Sequence, residues 1–358
     1  CRGTTKVGHP NAATRVIVRE TAEVPAGFRL AREALMTAFI DSFSAYLTPQ
    51  VTERIGSATG IDPKLVRKGL GIIGPLVVSV AARAARSPGG LQGLLNLVPA
   101  GFDPASGIES VVRSARDPRA SAGMLRGVFG SGVSAISNTL TRTLGVDATA
   151  LLRIGTPLML GAIAHRIAEG GIEESAIARQ LHDEQRAFQA RGDEVARAVQ
   201  DAQAAGDEAN SMRQKYTPHE WATARLAPIA AAQVVMMASP SGIVGVVGEL
   251  ASAANEIKRA RVGAIPTSLV NVLFDGEISK EEVMALKDRE VALTVVKEGV
   301  AAVKANTPGE AKSFGNLLVD IAVKTAEASK EGGFLGIGGT RVTKEEQAAI
   351  DAIKTAAG

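Results

Sequence analysis

The chain has 358 residues, of which 46% are hydrophobic and 22% are charged, so it is long enough to bury two or three separate cores. Aromatic residues make up only 3%, while alanine and glycine are abundant, which favours closely packed helices over β-sandwiches. A single cysteine excludes an internal disulfide framework, and a net charge of +3 is too small to indicate nucleic-acid binding by charge alone. We therefore expect an all-α protein.

The first 35 residues show no sustained hydrophobic period, either helical or extended. A helical spacing of apolar residues begins only after Met36, with Phe39, Ile40 and Phe43. We interpret residues 1–35 as a disordered arm or a misread upstream extension, and residues 36–171 as a helical bundle.

An internal repeat lies within this bundle. The segment GIDPKLVRKGLGIIGPLVVSVAARA, from Gly60, aligns with GVDATALLRIGTPLMLGAIAHRIA, from Gly145. Both glycines are predicted to end a helix in the left-handed conformation, and Asp62 and Asp147 are predicted to cap the next helix. In each copy a Pro-Leu pair follows, and its proline is predicted to begin or kink a long apolar helix.

Several elements of the first half occur in a recognisable order. They are ATGIDPKLVRKGLGIIGPLVVSVAARAARSPGGLQGLL, then GMLRGVFGSGVSAISNTLTRTLGVD with its Gly-Val-Phe-Gly element at 127–130, then TPLMLGAIAHR. From about Thr37 to about His182 the chain resembles the bacterial domain-of-unknown-function family 937, also called YidB-like. The resemblance implies an all-helical bundle, and it carries no catalytic residue to this chain.

Residues 51–70 have the form of a helix-turn-helix, with Lys64, Arg67 and Lys68 on the second helix. DNA binding through this face is one hypothesis. The second copy has Thr149, Leu152 and Arg153 at the corresponding positions, so the basic face is not a property of the repeat. The helix that follows is also too apolar to leave this hairpin free, so we favour the interpretation that both helices pack in the core.

Residues 172–216 are polar and predict one or two exposed connecting helices, interrupted near Gly192 and Gly206. Glu184 and Arg191 occupy one of the two seams that a coiled coil would need, so no strong coiled coil is predicted.

Residues 217–358 predict a second helical domain. Four Ser/Thr-x-x-Glu capping boxes mark helix starts: Thr217 with Glu220, Ser279 with Glu282, Thr307 with Glu310, and Thr343 with Glu346. The uncharged stretch 226–248 is long enough to cross a bilayer, but Pro240 and Gly242 favour two short buried helices, so no transmembrane span is expected.

The acidic run FDGEISKEE, residues 274–282, resembles the Asp-Gly-Glu-Ile turn of tellurite-resistance TerB-like domains, and the plan of the second half is compatible with that fold. The resemblance implies that Asp275, Glu277 and Glu281 or Glu282 coordinate a divalent cation through oxygen. The alternative is a plain turn before a capped helix whose first-turn acids favour the helix dipole.

No zinc-protease HExxH and no nucleophile elbow occur, and the four histidines are scattered. The glycine-rich segment KEGGFLGIGGT, residues 330–340, follows a predicted helix and lacks a Gly-Lys-Ser/Thr continuation. We interpret it as a joint between helices with Phe334 buried.

We expect a cytoplasmic, non-enzymatic bacterial protein without a cofactor or a small-molecule substrate, which binds a protein partner or itself as an interaction or scaffold module. A metal-binding stress-response role and weak DNA binding are the alternatives.

Overall fold

The computed structural model describes residues 39–98, 107–115, 118–170, 173–238, 246–274, 278–328 and 342–358. All regular elements in these ranges are helical, which confirms the all-α prediction. The arm at residues 1–35 and the segment 330–340 with Phe334 lie outside the described residues. The α-helices are, in chain order, α1 (Phe39–Tyr46), α2 (Pro49–Thr59), α3 (Pro63–Ala84), α4 (Gly90–Leu95), α5 (Ile108–Ala115), α6 (Pro118–Phe129), α7 (Val133–Leu144), α8 (Thr149–Gly170), α9 (Glu174–Gln189), α10 (Glu194–Gln214), α11 (Pro218–Met236), α12 (Val246–Gly263), α13 (Leu269–Leu273), α14 (Lys280–Met284), α15 (Arg289–Asn306), α16 (Ala311–Ala328) and α17 (Lys344–Ala357).

Helices α3 and α8 contain the two copies of the repeat and pack against each other at the centre of a first core. A Cβ added at Gly69 would lie 2.6 Å from Leu151 Cδ1, and one added at Gly155 would lie 2.8 Å from Ile73 Cγ2. When the prolines of the two copies are aligned, Gly69 is equivalent to Leu151 and Ile73 to Gly155. The copies therefore meet at equivalent positions, where a glycine of one makes room for an aliphatic side chain of the other.

The predicted caps of the repeat are confirmed. Gly60 and Gly145 have φ angles of 75° and 73°, in the left-handed region that glycine adopts without strain. Asp62 accepts a hydrogen bond from the Lys64 amide at 2.7 Å, and Asp147 accepts one from the Thr149 amide at 2.9 Å.

Of the two predicted roles of the prolines in the repeat, beginning a long apolar helix is wrong, and kinking it stays a prediction. Pro75 lies inside α3 and Pro157 lies inside α8, and both helices continue through 22 residues. A proline in a helix interior removes one backbone hydrogen bond. Apolar residues on both sides of each proline are buried in the same core, and this burial favours one continuous helix over two shorter ones.

Helices α9 and α10 belong to the first core, although their sequence predicts exposed connecting helices. Both pack against α3, and they bury Ile177, Leu181 and Val199. The break near Gly192 is confirmed, since this glycine has a φ of 62°. The predicted break near Gly206 is wrong, because α10 continues through it. The boundaries at 171 and 216 as domain limits stay predictions.

A second core is formed by α11, α15, α16 and α17, with α12 against α16. Small residues let α11 and α15 approach closely: a Cβ added at Gly299 would lie 2.7 Å from Ala227 Cβ. A small cluster of Ala135, Ala205, Ala209 and Val272 joins helices of both regions, and residues 38–358 form one compact unit.

Three of the four predicted capping boxes are confirmed, at Thr217, Ser279 and Thr343. The box at Thr307 is wrong. The Thr307 hydroxyl lies 3.4 Å from the Val303 carbonyl oxygen and forms a hydrogen bond with the Tyr216 hydroxyl, and a 3₁₀ turn follows. A buried partner from the turn between α10 and α11 thus competes with the local cap.

Within the described residues, α3 is the one single helix that is long and apolar enough to cross a membrane, and 72% of its most apolar window is buried in the protein. A bent pair, residues 121–144 with 149–168, passes the same test only if both helices are counted as one span, and the two are bent by 110°. The uncharged stretch 226–248 is divided between α11 and α12, and Pro240 and Gly242 lie outside the described residues.

Candidate functional site

Of the predicted metal ligands, Glu281 and Glu282 lie within the described residues; Asp275 and Glu277 lie outside them. Glu282 Oε2 accepts the Ser279 backbone N–H at 2.6 Å, and Oε1 lies 3.6 Å from Arg225 Nη1. Both oxygens of this carboxylate therefore contact protein groups. No group of three histidine, cysteine or acidic residues that could hold a metal ion occurs in the part of the chain that the structure describes.

The predicted helix-turn-helix consists of α2, a turn at Gly60, and the start of α3. Lys64, Arg67 and Lys68 are exposed there, but Lys68 Nζ forms an ion pair with Glu194 Oε1 of α10 at 2.8 Å. The rest of α3 is buried in the first core. The acidic start of α10 thus offsets part of the basic face, and DNA binding through it stays a prediction.

The Gly-Val-Phe-Gly element ends in a tight turn that α10 holds in place. Asn210 Nδ2 donates to the Phe129 carbonyl oxygen at 3.0 Å, and Asn210 Oδ1 accepts from the Ser131 amide at 2.8 Å. Gly130, between them, has a φ of 63°, and a Cβ there would lie 2.5 Å from Asn210 Oδ1. We call Asn210 and these two backbone groups the asparagine clamp.

The first core is thus built on a helical repeat around α3 and α8, with a Gly-Val-Phe-Gly turn between its copies. Residues 41–166 match the model of the family described as bacterial protein of unknown function (DUF937). No curated protein and no solved structure matches the chain. The DUF937 match ends within α8, so Asn210, which clamps the turn of the matched region, lies beyond it.

A cleft of 600 Å³ lies beside the asparagine clamp, between α3 and α10. Leu76 and Val80 of α3 give it an apolar lining, and the ion pair of Arg83 with Asp207, at 2.5 Å, lies along it. The Gln203 Nε2 atom in its wall is buried without a hydrogen-bond partner. The cleft therefore combines apolar surface with one unsatisfied donor, which suits a ligand that brings an acceptor oxygen.

A second candidate site is an exposed aliphatic surface rather than a cleft. Val262, at the end of α12, and Ile265, just after it, have 77% and 61% of their surface exposed. We call residues 262–265 the aliphatic tip. Arg142 Nη2 of α7 donates to the Ala264 carbonyl oxygen at 2.7 Å, and this bond ties the tip to the helical body. Sequence reasoning missed the tip, because an aliphatic residue at a helix end is more often part of the core.

Two charged groups near the start of α1 have structural roles. Glu184 of α9 accepts hydrogen bonds from the Phe39 and Ile40 amides, at 2.6 and 3.1 Å, so a carboxylate meets the positive end of the α1 dipole. Burial raises the pKa of Glu184, against the opposing effect of these hydrogen bonds and of Arg166. Burial also lowers the pKa of Arg166, whose guanidinium lies 4.8 Å from the centre of the Phe39 ring.

Proposed function

We propose that this protein is a non-enzymatic interaction module: a rigid helical body that docks on a larger surface through the aliphatic tip. The exposure of Val262 and Ile265 carries the proposal. Single exposed aliphatic residues are ordinary on protein surfaces, but two large ones within four residues of an anchored backbone lower solubility unless a partner covers them.

The anchoring of the tip supports this role. The bond from Arg142 to Ala264 holds the backbone between the two aliphatic side chains, so docking requires little ordering of the tip itself. A protein partner or a second copy of the chain is the kind of surface that the sequence predicts, and a cytoplasmic location is part of the same proposal.

The experiment is a capture of partners from the native host with the full chain, quantified by mass spectrometry and paired with light scattering of the purified protein. The test variant is Val262→Ser combined with Ile265→Ser. Met284→Ser is the matched control, because Met284 is also 77% exposed but lies on α14. We expect the tip variant to lose a partner or a self-association that the control keeps. Equal behaviour of the two variants would contradict docking of the tip on a protein or on a second copy of the chain.

A metal-linked role is the second candidate, and it depends on the resemblance of residues 217–358 to TerB-like domains. The Ser279–Glu282 capping box is common to this candidate and to a plain turn before a capped helix, so it does not decide between them. Titration of the full chain with Ca²⁺, Mg²⁺ and Mn²⁺ by calorimetry tests it, with Asp275→Asn combined with Glu277→Gln as the comparison. Absence of heat at millimolar metal would contradict a cation site.

A further inference from the structure

We propose that the aliphatic tip docks on an anionic lipid surface, an inference that rests on the docking role proposed above and names its partner. The apolar part of the tip is aliphatic, with Gly263 and Ala264 between the two large side chains. The surroundings of the tip are basic, and both properties follow from described residues.

The basic residues lie next to the tip on two helices. Lys258 and Arg259 are both exposed and precede Val262 by four and three residues, so they share its face of α12. Arg142 contacts the tip backbone directly. Arg261 is half-buried and lies 3.4 Å from Ser134 Oγ.

One acidic side chain lies within this part of α12. Glu256 is 14% exposed and forms an ion pair with Arg259 at 2.5 Å. Among the described residues, Lys258 and Arg142 are exposed cations beside the tip, Arg259 is paired with Glu256, and Lys324 of α16, itself paired with Glu327, lies near Arg259. The exposed cations give the surroundings of the tip a positive potential, which attracts a negatively charged surface.

The positions along the helix match the layers of a lipid surface. With a rise of about 1.5 Å per residue, three to four residues place the backbones of Lys258 and Arg259 about 5 to 6 Å behind that of Val262 along the axis of α12. Apolar faces of peripheral proteins insert about 5 to 10 Å into the boundary between headgroups and acyl chains. When α12 meets the surface with its axis perpendicular to it, a tip inserted to this depth leaves both cations at the level of the lipid phosphates.

An acidic protein surface is the competing partner, and two features of the tip make it the weaker choice. Energetically dominant residues of protein interfaces are enriched in tryptophan, tyrosine and arginine that fill well-packed pockets. The apolar side chains of the tip are aliphatic and stand clear of the body, with exposed fractions of 77% and 61%. Lipid chains adapt to such a protrusion, and each basic residue near anionic headgroups adds to the attraction.

The test is cosedimentation of the full chain with vesicles. One set contains phosphatidylcholine alone, and the other contains equal parts of phosphatidylcholine and phosphatidylglycerol. We expect binding to the anionic vesicles that weakens at high salt, and little binding to the neutral vesicles. Val262→Ser with Ile265→Ser, and separately Lys258→Gln with Arg259→Gln, should each weaken binding by about tenfold or more. Met284→Ser should bind as the wild type does.

All substituted side chains in the two test variants are exposed, so circular dichroism should match that of the wild type. Arg259→Gln also removes the ion pair of Glu256, so a small loss of thermal stability is expected in that variant. Failure of the wild type to bind anionic vesicles, or full binding by the tip variant, would overturn the lipid proposal. If vesicle binding fails while the tip variant still loses a protein partner or self-association, the docking function stands and the partner is a protein. If neither vesicle binding nor protein association depends on the tip, both proposals fail.

Discussion

Asn210→Ala tests the asparagine clamp. The substitution removes the donor to the Phe129 carbonyl oxygen and the acceptor of the Ser131 amide, at 3.0 and 2.8 Å. A hydrogen bond of this kind contributes about 1 kcal/mol net, and a backbone group left without a partner costs about 1 to 3 kcal/mol. Asn210 is half-buried, so water can reach part of the vacated space. We therefore expect the free energy of unfolding to fall by about 2 kcal/mol.

Urea denaturation measures this loss as a lower midpoint with an unchanged slope. Hydrogen exchange supplies the local readout. In the variant the exchange rate of the Ser131 amide should rise much more than the rates of amides in the middle of α3. Asn210→Asp is the matched comparison. It keeps an acceptor for the Ser131 amide but loses the donor, so protection at Ser131 should survive. A change below about 0.5 kcal/mol in Asn210→Ala, within the range of ordinary surface substitutions, together with unchanged exchange at Ser131, would refute the clamp.

Two further predictions concern packing and pH. Gly132→Ala should lower stability by about 1 to 3 kcal/mol in urea, because its Cβ would lie 2.8 Å from the Gly206 backbone, while Gly123→Ala, with open space around it, should be neutral or slightly stabilising. The raised pKa of Glu184 means that the folded protein binds this proton more tightly than the unfolded chain. Its contribution is therefore fully present below the ordinary pKa and is lost as pH rises through the folded pKa. Unfolding of wild type and Glu184→Gln across this pH window should show the stability of the wild type falling relative to the variant as pH rises, and a constant difference would contradict the buried carboxyl.

Local features of the fold were predictable from the sequence, because nearby residues decide them. Thr343 caps α17 through a residue three positions away, and such a signal is complete within one turn. Thr307 carries the same signal, but the Tyr216 hydroxyl, 91 residues earlier, contacts it instead. Gly206 lies inside α10, where a Cβ would lie 2.8 Å from Ile136 Cδ1 of α7. The sequence displays the glycine but not the partner that explains it.

The candidate sites likewise divide into features set by nearby residues and features set by distant ones. The capping role of Glu282 was visible as an alternative to metal binding, since both uses need the same carboxylate at the start of a helix. The aliphatic tip had no local signal. Whether Val262 faces solvent depends on where α7 ends and on the bond from Arg142, and both are tertiary facts.

The asparagine clamp shows that the region matched to DUF937 is shorter than the part of the chain that folds together with it. The DUF937 match ends at residue 166, yet α9 and α10 supply Leu181 and Val199 to the core of the matched helices. A fragment that ends at residue 166 would expose the side of α3 that α9 and α10 cover. Its turn after Phe129 would also lack the hydrogen bonds to Asn210. We expect such a fragment to aggregate. A fragment extended through α10 keeps the helices that bury this side of α3, so we expect it to stay monomeric. In this chain, homology alone is therefore a poor guide to where the polypeptide can be cut.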